Sequence, residues 1–124
     1  LWDWRREPSI RFGGLVLEAS EGLARGGAEG GERTVRFDAS LMPDMLELGV
    51  FRDGDRMVPF GRKTPVKVKK LMTERKLDGD ARRALPVVRI PGGEIIWIPG
   101  VRRSSFAPVV GDAARVVELK MTEV

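Results

Sequence analysis

The chain is 124 residues long, with 42% apolar and 32% charged residues and a formal net charge of +4, which is the size and balance of one domain able to bury a core. No stretch approaches the roughly 18–20 consecutive apolar residues of a membrane span, and Cys, His and Tyr are all absent. Their absence excludes disulfides, thiolate or imidazole metal sites, haem ligation and Ser-His-Asp or Cys-His nucleophiles, leaving Asp, Glu, Lys, Arg, Ser and Thr for any chemistry.

Leu1-Trp2-Asp3-Trp4 has neither the basic nor the apolar region of a signal peptide. With Leu1 rather than Met in first place, the expectation is a fragment of a longer cytoplasmic chain. Trp2 and Trp4, set among polar neighbours, are expected to be exposed or to pack on a further domain. Phe12, Leu15 and Leu17 alternate imperfectly through residues 9–20, which reads as a strand, and Val35 and Phe37 repeat the signal from Arg33 to Asp38. The Gly-rich stretch from Glu21 to Gly31 is read as a long mobile hairpin loop between them. Residues 1–45 then form a lead-in segment, and residues 46–124 a basic domain.

Leu46 to Phe51 is a third short strand, closed by the turn Asp53-Gly54-Asp55. Thr64-Pro65 predicts a helix start, because Thr caps free N–H groups and Pro fits the first helical position. The helix runs to about Lys76, with Val68, Leu71 and Met72 on one stripe, Lys67, Lys70 and Glu74 opposite, and Lys69 and Lys76 flanking it. Arg75 points toward the stripe and must snorkel or sit at a frayed end. Asp78-Gly79-Asp80 stops the helix, and Ala81 to Leu85 is one short turn before Pro86. Val87 to Ile90 and Glu94 to Ile98 are near-continuous β-branched runs joined by Pro91-Gly92-Gly93, a β-hairpin with Trp97 in the core. Val116 to Met121 supplies the last strand. The expected class is α+β: a small antiparallel or mixed sheet with one principal helix and room for a short second one.

Charge is distributed unevenly along this framework. Residues 1–50 hold 6 basic and 9 acidic groups, residues 51–107 hold 14 and 6, and residues 108–124 hold 2 and 3. A central segment of net +8 between slightly acidic ends reads as a face for a polyanion, with ordinary solubility as the alternative. Within it, Gly61-Arg62-Lys63-Thr64-Pro65 sets two cations directly before the predicted helix N-terminus, where a phosphate fits. Lys67, Lys69 and Lys70 extend that surface, and contacts of this kind position a nucleic acid without reading its sequence. A solvated lysine face is the other reading. Arg82, Arg83, Arg102 and Arg103 fall at element ends, where loops commonly bind ligands. Arg82 could equally pair with Asp55 or Asp80 inside the fold. Neither Asp-Gly-Asp triplet has the remaining ligands of a calcium loop, so both are read as turns with Asp55 as a structural cap. The Gly pairs lack the strand-to-helix context of a dinucleotide site.

From Gly54 the residues are more specific than their periodicities. Gly54-Asp55-Arg56, Pro59-Phe60-Gly61, Lys67-Val68-Lys69-Lys70-Leu71, Arg82 four residues before Pro86, and Ile96-Trp97-Ile98-Pro99-Gly100 follow one another in the order and spacing of the C-terminal domain of tRNA(Ile)-lysidine synthetases, which the chain resembles. Phe37-Asp38-Ala39-Ser40 and Leu46 to Val50 are similar to lead-in segments of the same region, so the resemblance covers about two thirds of the chain and thins before Arg33. It implies the tRNA-binding part of an ATP-dependent ligase that joins lysine to the wobble cytidine of CAU-anticodon tRNA(Ile), holding the acceptor-stem side of the tRNA and adding Arg56 to the phosphate contacts. It also implies ATP and Mg in a separate N-terminal catalytic domain, whose Ser-Gly-Gly-x-Asp-Ser loop has no counterpart here. Gly49 and Phe51 depart from the family, whose members often carry arginines there. The expected partners are that tRNA and the catalytic domain, with no membrane and a homodimer left open. The alternative is a protein interaction module that docks its basic face on an acidic partner or on its own catalytic domain. A small independent enzyme is disfavoured by the missing general bases.

Overall fold

The computed structural model describes residues 1–23, 33–77, 79–109 and 115–124. The alternation in residues 9–20 is broken by Gly13, whose φ of +59° is a turn conformation that suits glycine. The single strand expected there is instead an antiparallel hairpin of β1 (Ser9–Phe12) and β2 (Leu15–Leu23). Glu21 to Leu23 belong to β2 rather than to a loop, and the rest of the Gly-rich stretch lies outside the described residues.

β2 does not form a hairpin with the next strand, β3 (Thr34–Asp38). The strand from the far end of the chain, Arg115–Glu123, inserts between them and pairs antiparallel with both. Its side chains explain the insertion. Val117, Leu119 and Met121 alternate inward opposite Leu17, Ala19, Val35 and Phe37, so this strand alone supplies the middle of that apolar face.

A second antiparallel sheet combines β4 (Glu47–Gly49) with the central hairpin and a two-residue edge strand. Between them in sequence lies a ribbon, β5 (Arg56–Met57) paired with β6 (Val66–Lys67), followed by α1 (Val68–Glu74) and α2 (Gly79–Ala84). The hairpin is β7 (Val87–Arg89) and β8 (Ile95–Ile98), and the edge strand is β9 (Arg102–Arg103). The inserted strand of the first sheet is then β10. Every residue of β7 and β8 is buried, which is what their continuous apolar runs imply. Val88, Ile96 and Trp97 join the core over the first sheet, whereas Val87, Ile95 and Ile98 join a second core with Met57, Val68, Leu71 and Met72. The second sheet is thus a middle layer, with the first sheet on one side and the ribbon and α1 on the other. β10 and Trp97 share the first core with Leu17, Val35 and Phe37 of the lead-in strands.

Two further expectations are overturned. Trp2 and Trp4 are 0% and 2% exposed. Trp2 exchanges backbone hydrogen bonds with Leu46, and both indole N–H groups find carbonyls, Trp2 on Glu7 and Trp4 on Pro43. Burial is therefore achieved without an unsatisfied donor. The principal helix begins at Val68 and ends at Glu74, not from Thr64-Pro65 to Lys76. Lys67 is extended (φ −63°, ψ 132°), because Val66 and Lys67 are already paired with Met57 and Arg56, and as a donor-only side chain it offers the helix no cap. The Val68 N–H continues that ladder onto the Asp55 carbonyl. Pairing satisfies backbone groups that an earlier helix start would leave open. Lys76 takes a φ of +59° just past the end, and Arg75 is the exposed C-cap. The stripe itself is as expected, with Val68, Leu71 and Met72 buried.

Candidate nucleic-acid interface

The Asp53-Gly54-Asp55 turn is anchored through Asp55, whose carboxylate accepts the Arg52 N–H at 2.6 Å and an Arg89 Nη2 at 2.8 Å. Burial pushes this carboxyl up, but the bonds from Arg89 and the Arg52 backbone, with both positive charges, hold it below the usual carboxylate range. Asp55 is a cap, as expected. Its partner Arg89 is 8% exposed, and its only mark in the sequence is to be a lone arginine inside Val87-Val88-Arg89-Ile90, which an acid must meet once buried.

This anchored turn leads into the ribbon. In its register Arg56 lies directly opposite Lys67, and both are exposed. The connection carries Arg62 and Lys63, and it closes through the Arg62 N–H on the Pro59 carbonyl at 2.9 Å, with Gly61 at φ +85°. β9 ties this connection down: the Phe60 N–H donates to the Arg103 carbonyl, and the Arg102 guanidinium donates to the Phe60 carbonyl at 3.4 Å. Lys69 and Lys70 follow on the exposed side of α1. Among the described residues, none of Arg56, Arg62, Lys63, Lys67, Lys69 and Lys70 is ion-paired with an acid. Thr64 is exposed within the connection and caps no helix. The phosphate site imagined at a helix N-terminus beside Arg62 and Lys63 is therefore replaced by a cationic ribbon.

The remaining predicted residues divide. Arg82 donates to the Leu77 carbonyl and to Thr73 Oγ1, both at 2.8 Å, so it closes the α1–α2 corner in place of pairing with Asp55 or Asp80. Arg83 makes an exposed contact with Asp80 at 3.8 Å, and Asp78 lies outside the described residues. Arg103 is a correction: it is 5% exposed, with its guanidinium donating to the carbonyls of Ser104, Arg36 and Phe106. Successive residues of a strand face opposite ways, so of the Arg102-Arg103 pair one turns out and the other in. Phe51, standing where the family often has arginine, packs on the second core.

Around the first sheet most arginines are paired with acids, although among the described residues Arg11 and Lys120 on its strands are not. Arg33 meets Glu123, Arg36 meets Glu118, Arg115 meets Glu21, and Arg5 reaches both Glu21 and Asp44. Concave pockets of about 200 and 470 Å³ lie there, both bordered by Glu21 and neither by the ribbon cations. No group of three acidic side chains placed to hold a metal occurs among the described residues.

A family model described as the TilS substrate C-terminal domain matches residues 46–119. The chain is 38% identical over 73 residues to the tRNA(Ile)-lysidine synthase of Persephonella marina, a match covering 59% of this chain and 16% of that protein. It is 29% identical over 112 residues to the enzyme of the same name from Geobacter sulfurreducens, covering 88% of this chain and 23% of the relative. The chain thus spans under a quarter of the length of these curated relatives. A crystal structure of a TILS C-terminal domain superposes with a TM-score of 0.79 at 26% identity, over 90% of this chain and 85% of that one. An N-terminal fragment of the phenylalanyl-tRNA synthetase β-subunit from Pyrococcus horikoshii shares the fold at a TM-score of 0.51 and 12% identity, over 69% of this chain and 27% of that one.

Proposed function

The chain belongs to the TilS C-terminal domain family of tRNA(Ile)-lysidine synthases, and from that membership we propose that it is the module that holds tRNA for such an enzyme. The observation that carries the reading is the ribbon register. Arg56 and Lys67 face one another with four further cations beside them, and among the described residues none of the six is paired with an acid. Like charges directly opposite across a strand pair oppose folding, so a protein built for stability alone would place a carboxylate there. A phosphate backbone relieves the repulsion, and counterion release then drives binding.

In this reading the cationic ribbon and the exposed side of α1 grip the acceptor-stem side of tRNA(Ile) with a CAU anticodon, in the cytoplasm. A separate N-terminal catalytic domain, with ATP and Mg, joins lysine to the wobble cytidine. The module contributes to that reaction by fixing geometry, since misplacement costs rate even far from the chemistry. The test is binding of the chain to that tRNA, to an acceptor-stem minihelix and to an unrelated duplex RNA across a salt series. Tight, steeply salt-dependent binding to the first two is expected. No binding to any of the three would overturn the reading in favour of a basic face that docks on protein.

A further inference from the structure

Phe60 is turned outward, 46% exposed, whereas Phe37 and all three tryptophans are buried. Its position follows from the turn Pro59-Phe60-Gly61-Arg62, in which Gly61 takes the positive φ of the second corner and Phe60 stands at the first. Its backbone is held from both sides, the N–H on the Arg103 carbonyl and the carbonyl under the Arg102 guanidinium. The ring is held as well. The Arg103 guanidinium lies 4.8 Å from the Phe60 ring centroid and 4.4 Å from that of buried Phe37, so a Phe37–Arg103–Phe60 ladder runs from core to surface. Arg103 is locked in place by its hydrogen bonds to Ser104, Arg36 and Phe106. One side of an aromatic ring is thereby pinned on a fixed cation, and the rest of it meets solvent.

The surroundings indicate what the exposed ring meets. Arg62 and Lys63 adjoin it in sequence and Arg102 donates to its carbonyl, so the exposed ring sits among cations that suit a polyanion. We propose that Phe60 is a stacking platform for an unpaired nucleobase of an RNA whose phosphates lie on the neighbouring cations. The inference rests on the RNA-holding reading and goes further, because phosphate contacts accept any strand whereas a stacked base must be out of a helix. The surface would therefore prefer RNA with a single-stranded end over a blunt duplex.

The experiment titrates the chain with a duplex RNA that is blunt and with the same duplex carrying a short single-stranded overhang labelled with 2-aminopurine. The wild-type protein is expected to bind the overhang RNA more tightly and to quench the label. Phe60→Ala should weaken overhang binding about 5- to 150-fold, the range of one base–aromatic stack, while leaving blunt-duplex binding and the salt slope unchanged. Phe60→Leu should melt like wild type yet bind like the alanine variant, and Phe60→Trp should restore both affinity and quenching. If the wild type binds both RNAs and Phe60→Ala alters neither, the platform is overturned while the RNA-holding reading stands. Equal weakening toward both RNAs also overturns it, since that marks a residue shaping the surface. If the wild type binds neither RNA, the reading fails and the platform with it.

Discussion

Around the first sheet Arg5, Arg33, Arg36 and Arg115 each face a carboxylate, as in the 3.2 Å pair of Arg36 with Glu118, while among the described residues Arg11 and Lys120 on its strands pair with none. On the ribbon and α1, among the described residues, Arg56, Arg62, Lys63, Lys67, Lys69 and Lys70 face none, and Arg56 faces Lys67. Charge counts along the sequence locate the positive segment but do not say how much of it is already neutralised. Pairing does. Within the same basic segment Arg89 and Arg52 are neutralised by Asp55 and Glu47, and Arg103 is spent on carbonyls. The field available to a polyanion comes from a smaller set of side chains than the 14 basic residues of residues 51–107 suggest.

Four predictions bear on that contrast. The largest effect is expected where a cation is buried: Asp55→Ala leaves Arg89 without its partner and should cost about 3 kcal/mol or more in urea unfolding. A loss of only a few tenths would mean that Arg89 is no less solvated than the surface arginines. Next, Arg56→Ala with Lys67→Ala should make the slope of log K against log salt for RNA binding shallower by about 2. Thermal stability should hold or rise slightly as the cross-strand repulsion is removed. An unchanged slope would erase the distinction between the two regions. Removing first-sheet cations, as in Arg36→Ala with Arg115→Ala, should leave that slope alone and change stability by less than about 1 kcal/mol each. Finally, because the Asp55 carboxyl is held below its ordinary value, its stabilisation is fully present above about pH 4 and is lost as pH falls through the lower folded-state pKa. Acid unfolding of the wild type followed beside Asp55→Asn should show this dependence in the wild type alone.

Much of this was readable in the residues. The hairpin of β7 and β8, the buried stripe of α1 and the last strand follow directly from periodicity, and the segment from Gly54 to Gly100 carried the family likeness. What was not readable has a common cause, namely long-range pairing that overrides a sound local signal. Thr64-Pro65 is a good helix start, yet β5 claims Val66 and Lys67 first. Residues 9–20 and 33–38 looked like neighbours, as sequential strands often are, but the nine-residue β10 offered a longer match to β2. Trp2 and Trp4 lie in a short polar-looking stretch, and nothing local reveals the Glu7 and Pro43 carbonyls that let their indoles go inside. For Arg102 and Arg103 the neighbouring strand decided which cation remained at the surface.

The placement of β10 also sets an order of events during synthesis. β2 and β3 have no hydrogen bonds to each other, and both are completed well before residue 115 is added. Until then their apolar faces, Leu17, Ala19, Val35 and Phe37, have no central strand to close on, whereas β4, β7 and β8 can already assemble with the ribbon and α1. Closing a pairing across so many intervening residues is slow. The nascent first sheet is therefore the part of the molecule that waits at the ribosome with its edges open, and the part most in need of shielding while it does.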